Sequence, residues 1–399
     1  MERLSQLALR LKGQEMFQIL AKTKELEREG KEIIHFEIGD PNFDTPENVV
    51  NAAREALTKG HTHYSPSSGI FELKVAAADV TAKSRGFRPE LNQLLVAPAN
   101  YQIRLALGCV VNPGDEVIIP DPSFVSYGSL INNIPAKAVR IPLKEENEFR
   151  LNPDDVEKAI TDKTKMIIIN SPNNPTGSVM TEEEIRRIYE IAKQKDIYLL
   201  SDEVYARILY QDAPEDKFHS PSKYDFCRER VIVVNGFSKA YAMTGWRIGV
   251  CTGPSELIEK MGLLLESEIS CVSTFIQRAA IEALKGSQEK TFEMRDEYRK
   301  RRDFIVNELN AMPGIRCVKP KGAFYVFPNI TRTGMNDEEF RDFMLDEAGV
   351  ALCNGTMFGE YGQGYVRLCY ANCSFENIKI GMERMKYALE KKIWKKREY

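Results

Sequence analysis

The sequence predicts an α/β protein: a mainly parallel sheet sandwiched by helices, with a smaller α+β domain attached. Three observations carry that prediction. Short apolar runs alternate with stretches of helical spacing, a helix between two of those runs opens with a capping box, and the character of the chain changes after about residue 285. Strand–helix alternation implies parallel strands covered on both faces, since each crossover helix packs back onto the sheet.

The predicted strands are 93–97, 116–120, 138–143, 165–170, 197–202, 231–235 and 248–252. Most are apolar runs bounded by turn formers, as expected for strands buried on both faces. Between the fourth and fifth, Thr181-Glu-Glu-Glu184 forms the capping box, and Ile185, Ile188, Tyr189 and Ala192 follow at helical spacing. The charged stretch 293–302 then predicts a helix leading into the second, smaller region. There is no internal repeat and no low-complexity linker.

With 399 residues, 43% hydrophobic and 28% charged, the chain can bury a sizeable core, and the usual domain sizes predict two lobes. A formal charge of −3 argues against a general nucleic-acid or membrane surface. No apolar run is long enough to span a bilayer, and the opening Met-Glu-Arg-Leu-Ser lacks the apolar core of a signal peptide, so a cytoplasmic location is expected. The eight cysteines are scattered without a CxxC pair, and Cys369 and Cys373 read as buried and inert. His61 and His63 have no third ligand nearby, so no metal is expected.

Chemistry concentrates around Lys239. The apolar run 231–234 ends at the turn signal Asn235-Gly236 and delivers Ser238, Lys239 and Arg247 into one short stretch. A lysine at the mouth of a buried strand is desolvated; its pKa falls, and the free amine can form a Schiff base. Ser238 and Arg247 supply a hydroxyl and a guanidinium, groups that hold a phosphate. An amine beside a phosphate cup is what pyridoxal phosphate requires. Taken singly, Lys239 could be a solvated surface charge and Arg247 an ordinary ion-pair partner.

The wider sequence resembles the class I/II, aspartate aminotransferase-like family of fold-type I pyridoxal-phosphate enzymes. Ser238-Lys239 with Gly245-Trp246-Arg247 matches its lysine signature, and further motifs follow in the family's order. They are Ile38-Gly-Asp-Pro41, Tyr64-Ser-Pro, Asn170-Ser-Pro-Asn-Asn-Pro-Thr-Gly177, Ser201-Asp-Glu-Val-Tyr205, Gly322-Ala-Phe-Tyr-Val-Phe-Pro328 and Tyr365-Val-Arg367. The resemblance spans roughly residues 30–375.

That resemblance implies a large cofactor-binding domain over 46–285 and a small domain built from 1–45 and 286–399. It implies a homodimer with shared active sites. It also implies roles. Asp202 would pair with the cofactor's ring nitrogen, where the alternative is a helix cap. Tyr205 and Asn174 would hydrogen-bond the phenolic oxygen, although the Asn174 stretch is good turn sequence in any case. Arg367 would hold the substrate carboxylate, where the alternative is a structural salt bridge, with Gly39 letting the backbone come close and Asn174 nearby. The phosphate cup would combine Ser238, Arg247, the amides around Ala99, Asn100 and Tyr101 at a helix start, and Tyr64 from the partner subunit. Phe124 would stack on the ring, or else be a core aromatic. Lys239 would carry the cofactor and shuttle the substrate Cα proton. The implied reaction is ping-pong transfer of an amino group between an L-α-amino acid and a 2-oxo acid.

Two stretches depart from the family pattern. Residues 96–102, Val-Ala-Pro-Ala-Asn-Tyr-Gln, replace a glycine-rich segment, and Tyr101 stands where some relatives carry a lysine for a distal carboxylate. At Cys353-Asn354-Gly355 a proline before the glycine is commoner. The amino donor therefore stays open, as does a same-fold enzyme running β-elimination, decarboxylation or carbon–carbon bond formation. A transcription regulator on this fold would need an added DNA-binding domain, and only about 30 residues precede the first family motif.

Overall fold

The computed structural model describes residues 3–11, 13, 15–213 and 216–397. Its centre is a seven-stranded sheet: β1 Leu94–Val96, β2 Glu116–Asp121, β3 Lys137–Pro142, β4 Thr164–Asn170, β5 Tyr198–Asp202, β6 Val231–Val234 and β7 Val250–Thr252. The spatial order is β1-β7-β6-β5-β4-β2-β3. Pairs from β6 across to β3 are parallel, while β7 runs antiparallel to both β6 and β1. All seven strands fall where sequence patterning puts them. The reversal of β7 does not show in that pattern, because a buried strand is apolar on both faces whichever way it runs.

The inner parallel strands β2, β4, β5 and β6 are almost wholly buried, whereas the edge strand β3 is partly open to solvent. Their alternate faces feed two apolar clusters. Val117, Ile168, Leu200 and Ile232 pack under helices Ala99–Val110 and Ser255–Ile269. Ile118, Ile167, Leu199 and Val231 pack under helix Glu182–Gln194. The capping box of that helix forms as expected: Thr181 Oγ1 accepts from Glu184 N at 3.2 Å, and Glu184 Oε2 accepts from Thr181 N at 2.8 Å.

Beyond this sheet, Tyr325–Val326, Cys353–Asn354 and Val366–Cys369 form a three-stranded antiparallel sheet. Ile34–His35 pairs in parallel with Val350–Ala351, and Phe36 O accepts from Cys369 N at 2.8 Å. The N-terminal segment is thereby hydrogen-bonded to elements more than 300 residues later. The charged helix extends to Glu289–Ala311. Its inner face buries Arg302 completely, paired with Asp212 and Asp303 and laid 4.5 Å from the Tyr210 ring centroid. Such a charge tolerates burial because each N–H finds an acceptor. No helix of the described residues is long and apolar enough to cross a membrane.

His35 ties helix Glu15–Arg28 to the strand that follows it. Its protonated ring donates to Glu37 Oε1 at 2.7 Å and to Glu27 Oε1 at 3.0 Å. The bond to the buried Glu37 is the main cause of a pKa raised to about 8 from 6.5. A raised folded-state pKa stabilises the fold fully below 6.5, and the contribution is lost as pH rises through 8. That is about 2 kcal/mol at 1.36 kcal/mol per unit. We expect His35→Gln to lower the melting temperature at pH 6 and to leave it near wild type above pH 9. A deficit independent of pH would remove the titration from the explanation.

Candidate active site

The carboxyl ends of β4, β5 and β6 all point to one side of the sheet, where ligands of open parallel sheets bind. There they deliver Asn170, Asp202 and the Ser238-Lys239 turn to one wall of a cavity of about 300 Å³. The facing wall comes from Ile38–Asp40, Tyr325, Phe358 and Arg367, with Met16 at its edge. Gly39, Ala99, Asn100, Phe124, Asn174, Asp202, Tyr205, Ser238, Lys239, Arg247 and Arg367 all line this cleft. Tyr64 and Tyr101 do not. Tyr64 is 89% exposed elsewhere on the surface. Tyr101 turns its hydroxyl to Glu268, and its amide is taken by Pro98 O at 2.9 Å. Pro98 starts the helix with a carbonyl that captures the Tyr101 and Gln102 amides, so only Ala99 and Asn100 present their N–H groups at the cleft.

Lys239 Nζ donates to Gly39 O at 2.5 Å. Lys239 lines the cleft, and the loss of water around its amine is the main cause of a pKa lowered to about 8. At pH 7 about a tenth of it is therefore neutral, far more than of an ordinary lysine, and the neutral amine is what a nucleophile or base requires. Gly39 is needed for that approach: a Cβ there would collide with the Tyr325 hydroxyl.

Asp202 is 4% exposed at the end of β5. Burial raises its pKa to about 6, against two hydrogen bonds that favour the carboxylate. One comes from Tyr127 Oη at 2.6 Å, the other from Val204 N at 3.3 Å. A carboxylate so placed calls for a cation in the cleft. Tyr205 Oη lies 2.8 Å from Tyr325 Oη, and burial pushes its pKa up. Asn170 Oδ1 accepts the Asn174 amide at 2.9 Å, so the 170–177 turn holds itself in place.

Arg367 is 2% exposed, yet no carboxylate of the described residues lies within 4 Å of it. Nη1 donates to Asn174 Oδ1 at 3.1 Å and Nη2 to Glu37 O at 2.5 Å, while Nε has no acceptor. The guanidinium is clamped between Tyr325 and Phe358, 4.7 and 4.6 Å from their centroids. A rigid, buried, unneutralised fork is a carboxylate receptor. Arg247, exposed, sits in the left-handed region at φ 55° and donates to Thr244 O at 2.9 Å and Asn100 Oδ1 at 3.1 Å. It thus stands beside the amides of Ala99 and Asn100, next to Ser238.

Pyridoxal phosphate fits these residues. The amine of Lys239, the anion cradle of Ser238, Arg247 and the helix start, and the buried Asp202 carboxylate match its aldehyde, phosphate and ring nitrogen. The orphaned Arg367 Nε is left for a substrate anion. No group of three or more His, Cys, Asp or Glu that could hold a metal exists among the described residues.

Sequence reasoning missed Tyr127, Tyr325 and Phe358. The signal for Tyr127 was available: an aromatic in an apolar context whose hydroxyl must find a partner when buried. We expect Tyr127→Phe to push the Asp202 pKa above about 6 by removing a bond that lowers it. Asp202 would then be charged only at higher pH. Cofactor affinity should fall about tenfold or more at pH 6–7, from the usual 1.5–3 kcal/mol of a charge-assisted bond, and recover towards pH 8. Cofactor titrations of the variant across pH measure this, and a loss equal at all pH values would contradict it.

The family model for "Aminotransferase class I and II" matches residues 31–385. The chain is 44% identical over 376 residues to an aspartate aminotransferase of Pyrococcus horikoshii, covering 93% of this chain and 95% of that one. It is 43% identical over 364 residues to aromatic-amino-acid aminotransferase 2 of Thermococcus litoralis, covering 90% and 92%. The solved aromatic aminotransferase of P. horikoshii superposes with a TM-score of 0.87 at 42% identity, covering 94% of this chain and 99% of that one.

Proposed function

Because the chain belongs to the class I and II aminotransferases, a pyridoxal-phosphate-dependent family, we propose that Lys239 and Arg367 are the working pair of its active site. In this reading the enzyme moves an amino group between an L-α-amino acid and a 2-oxo acid by alternating half-reactions. The observation that carries it is the buried Arg367 fork, without an acidic partner, opening into the same cleft as the desolvated Lys239 amine.

Pyridoxal phosphate, when bound, supplies an aldehyde that condenses with amines and a ring that accepts the electron pair released at the substrate Cα. The residues do the rest. Arg367, with Asn174 bracing its Nη1, takes the substrate carboxylate and so sets which Cα bond faces the ring. Lys239 Nζ, neutral in part near pH 7, would take the Cα proton and deliver it to the cofactor's former aldehyde carbon, two bonds away. Asp202 would hold a proton on the ring nitrogen, Tyr205 and Asn174 would bond the phenolic oxygen, and Ser238, Arg247 and the Ala99–Asn100 amides would hold the phosphate. Phe124 covers the ring.

The amino donors favoured are apolar and aromatic. The cleft's apolar lining includes Met16, Ile38, Val125 and Phe358, and no fourth cation joins Lys239, Arg247 and Arg367 in the cleft among the described residues. The aromatic relatives agree with this, and Tyr101, turned to Glu268, offers nothing to a distal carboxylate. We assign residues 46–285 to a cofactor-binding domain and 1–45 with 286–399 to a small one. The pairing of Ile34–His35 with Val350–Ala351 supports that division. A cytoplasmic homodimer completes the reading, with the exposed Tyr64 reaching the partner's phosphate cup.

The test is the visible spectrum of the cofactor-loaded protein on adding single L-amino acids, then a 2-oxo acid. Phenylalanine or tyrosine should bleach the band at lower concentration than aspartate, and the 2-oxo acid should restore it. Pyruvate release without reversal would instead mark the elimination chemistry.

A further inference from the structure

A second cavity, of about 360 Å³, lies against the segment that carries Lys239. Residues 238 and 239 line the cofactor cleft, whereas 235–237, 240 and 241 line this second space, and Val204 lines both. Its lining contains two guanidinium groups, Arg85 and Arg207, and no carboxylate. Arg85 Nη2 is paired with the buried Glu203 behind the wall, but its Nε–H is buried with no acceptor. Arg207 donates to Gln288 Oε1 at 3.0 Å and lies 5.4 Å from the Tyr241 centroid. No carboxylate of the described residues lies within 4 Å of Arg207. The remaining wall is largely apolar, with Phe237 and Tyr241 packed 5.6 Å apart.

Excess positive charge in an apolar, partly enclosed space favours an anion with an apolar body. Desolvation strengthens the charge interaction, and the walls replace water around the rest. We propose that this cavity binds a small aromatic carboxylate, with Arg207 and Arg85 Nε taking its anionic end and Phe237 its ring. Occupancy is felt in the cofactor cleft, because Phe237 directly precedes Ser238-Lys239 and is held by Ile248 O at 3.2 Å. Shifting that ring moves the backbone from which Lys239 springs.

Crystals of the cofactor-loaded enzyme soaked with 4-bromobenzoate test this, the bromine being located by its anomalous signal. The probe can also enter the cofactor cleft against Arg367, and the bromine positions separate the two sites. A peak in the cavity is expected, together with binding by calorimetry that weakens about tenfold or more in Arg207→Gln, the loss of one charge-assisted bond. Thr81→Leu fills the space from a half-buried helix position, so it checks the site if Arg207→Gln folds poorly. It should abolish the cavity peak. In wild type, saturation with the probe should shift the pH midpoint of the cofactor's absorption band, and in Thr81→Leu that component should vanish. Bromine only in the cofactor cleft, or affinity unchanged in both variants, overturns the site. A cavity peak with no Thr81-sensitive spectral shift overturns the coupling.

Discussion

Lys239→Ala should bind pyridoxal phosphate without the covalent link and lose turnover by about two to four orders of magnitude, the usual worth of a positioned acid–base group. None of the side chains assigned to hold cofactor or substrate replaces it. Arg247 and Arg367 carry N–H donors and no acceptor, Tyr205 is held neutral by burial, and Asp202 is turned to Tyr127. Stopped-flow half-reactions with phenylalanine read the proton-transfer step directly, and near wild-type rates would remove Lys239 from the chemistry. The cofactor-free proteins carry a second signature. A folded-state pKa of about 8, below the ordinary 10.5, means that the buried charged amine destabilises the fold fully below pH 8. The penalty fades between pH 8 and 10.5. Wild type should therefore gain stability relative to Lys239→Ala across that window.

Arg367→Lys should be nearly as damaging as Arg367→Ala. Truncating one partner of a buried charged contact costs about 2–5 kcal/mol, or about thirty- to several-thousand-fold in kcat/KM. Lysine keeps the charge but cannot keep the fork between Tyr325 and Phe358, nor bond Asn174 Oδ1 and Glu37 O while presenting a free edge to the substrate. The loss should appear in KM for both amino acid and 2-oxo acid, since both carry the same carboxylate. Cofactor affinity should change far less, because Arg247 and the Ala99–Asn100 amides stand apart from Arg367. Equal losses in cofactor and substrate binding would show instead that the variant had disturbed the whole cleft.

The alternation of buried strands and capped helices, and the residues placed at strand ends, were legible because both are local. An apolar run of five residues declares a strand, and the residue after it declares what the strand presents. Asp202 ending β5 and Lys239 following β6 could be located in the cleft from that rule and the parallel sheet alone. The direction of β7 could not, nor could the pairing of Ile34 with Val350, because hydrogen-bond partners in a sheet leave no mark on either strand's own composition. Tyr101 shows the same limit in the site: its neighbours Ala99 and Asn100 reach the cleft, but helix phase carries Tyr101 round to Glu268.

What the sequence by itself determined is the inventory: an amine, a carboxylate, a hydroxyl and two guanidinium groups, in an order that resembles the class I and II aminotransferases. What only the tertiary structure decided is their chemical state. Tyr127 reaches Asp202 across 75 residues, and Arg367 meets Asn174 and Glu37 across 193 and 330. The burial that comes with this packing lowers the Lys239 pKa and raises that of Asp202 against its Tyr127 bond, and the fold leaves Arg367 without a carboxylate. The physical reason is that desolvation and Coulomb energy depend on distance through space, which spacing along the chain does not encode.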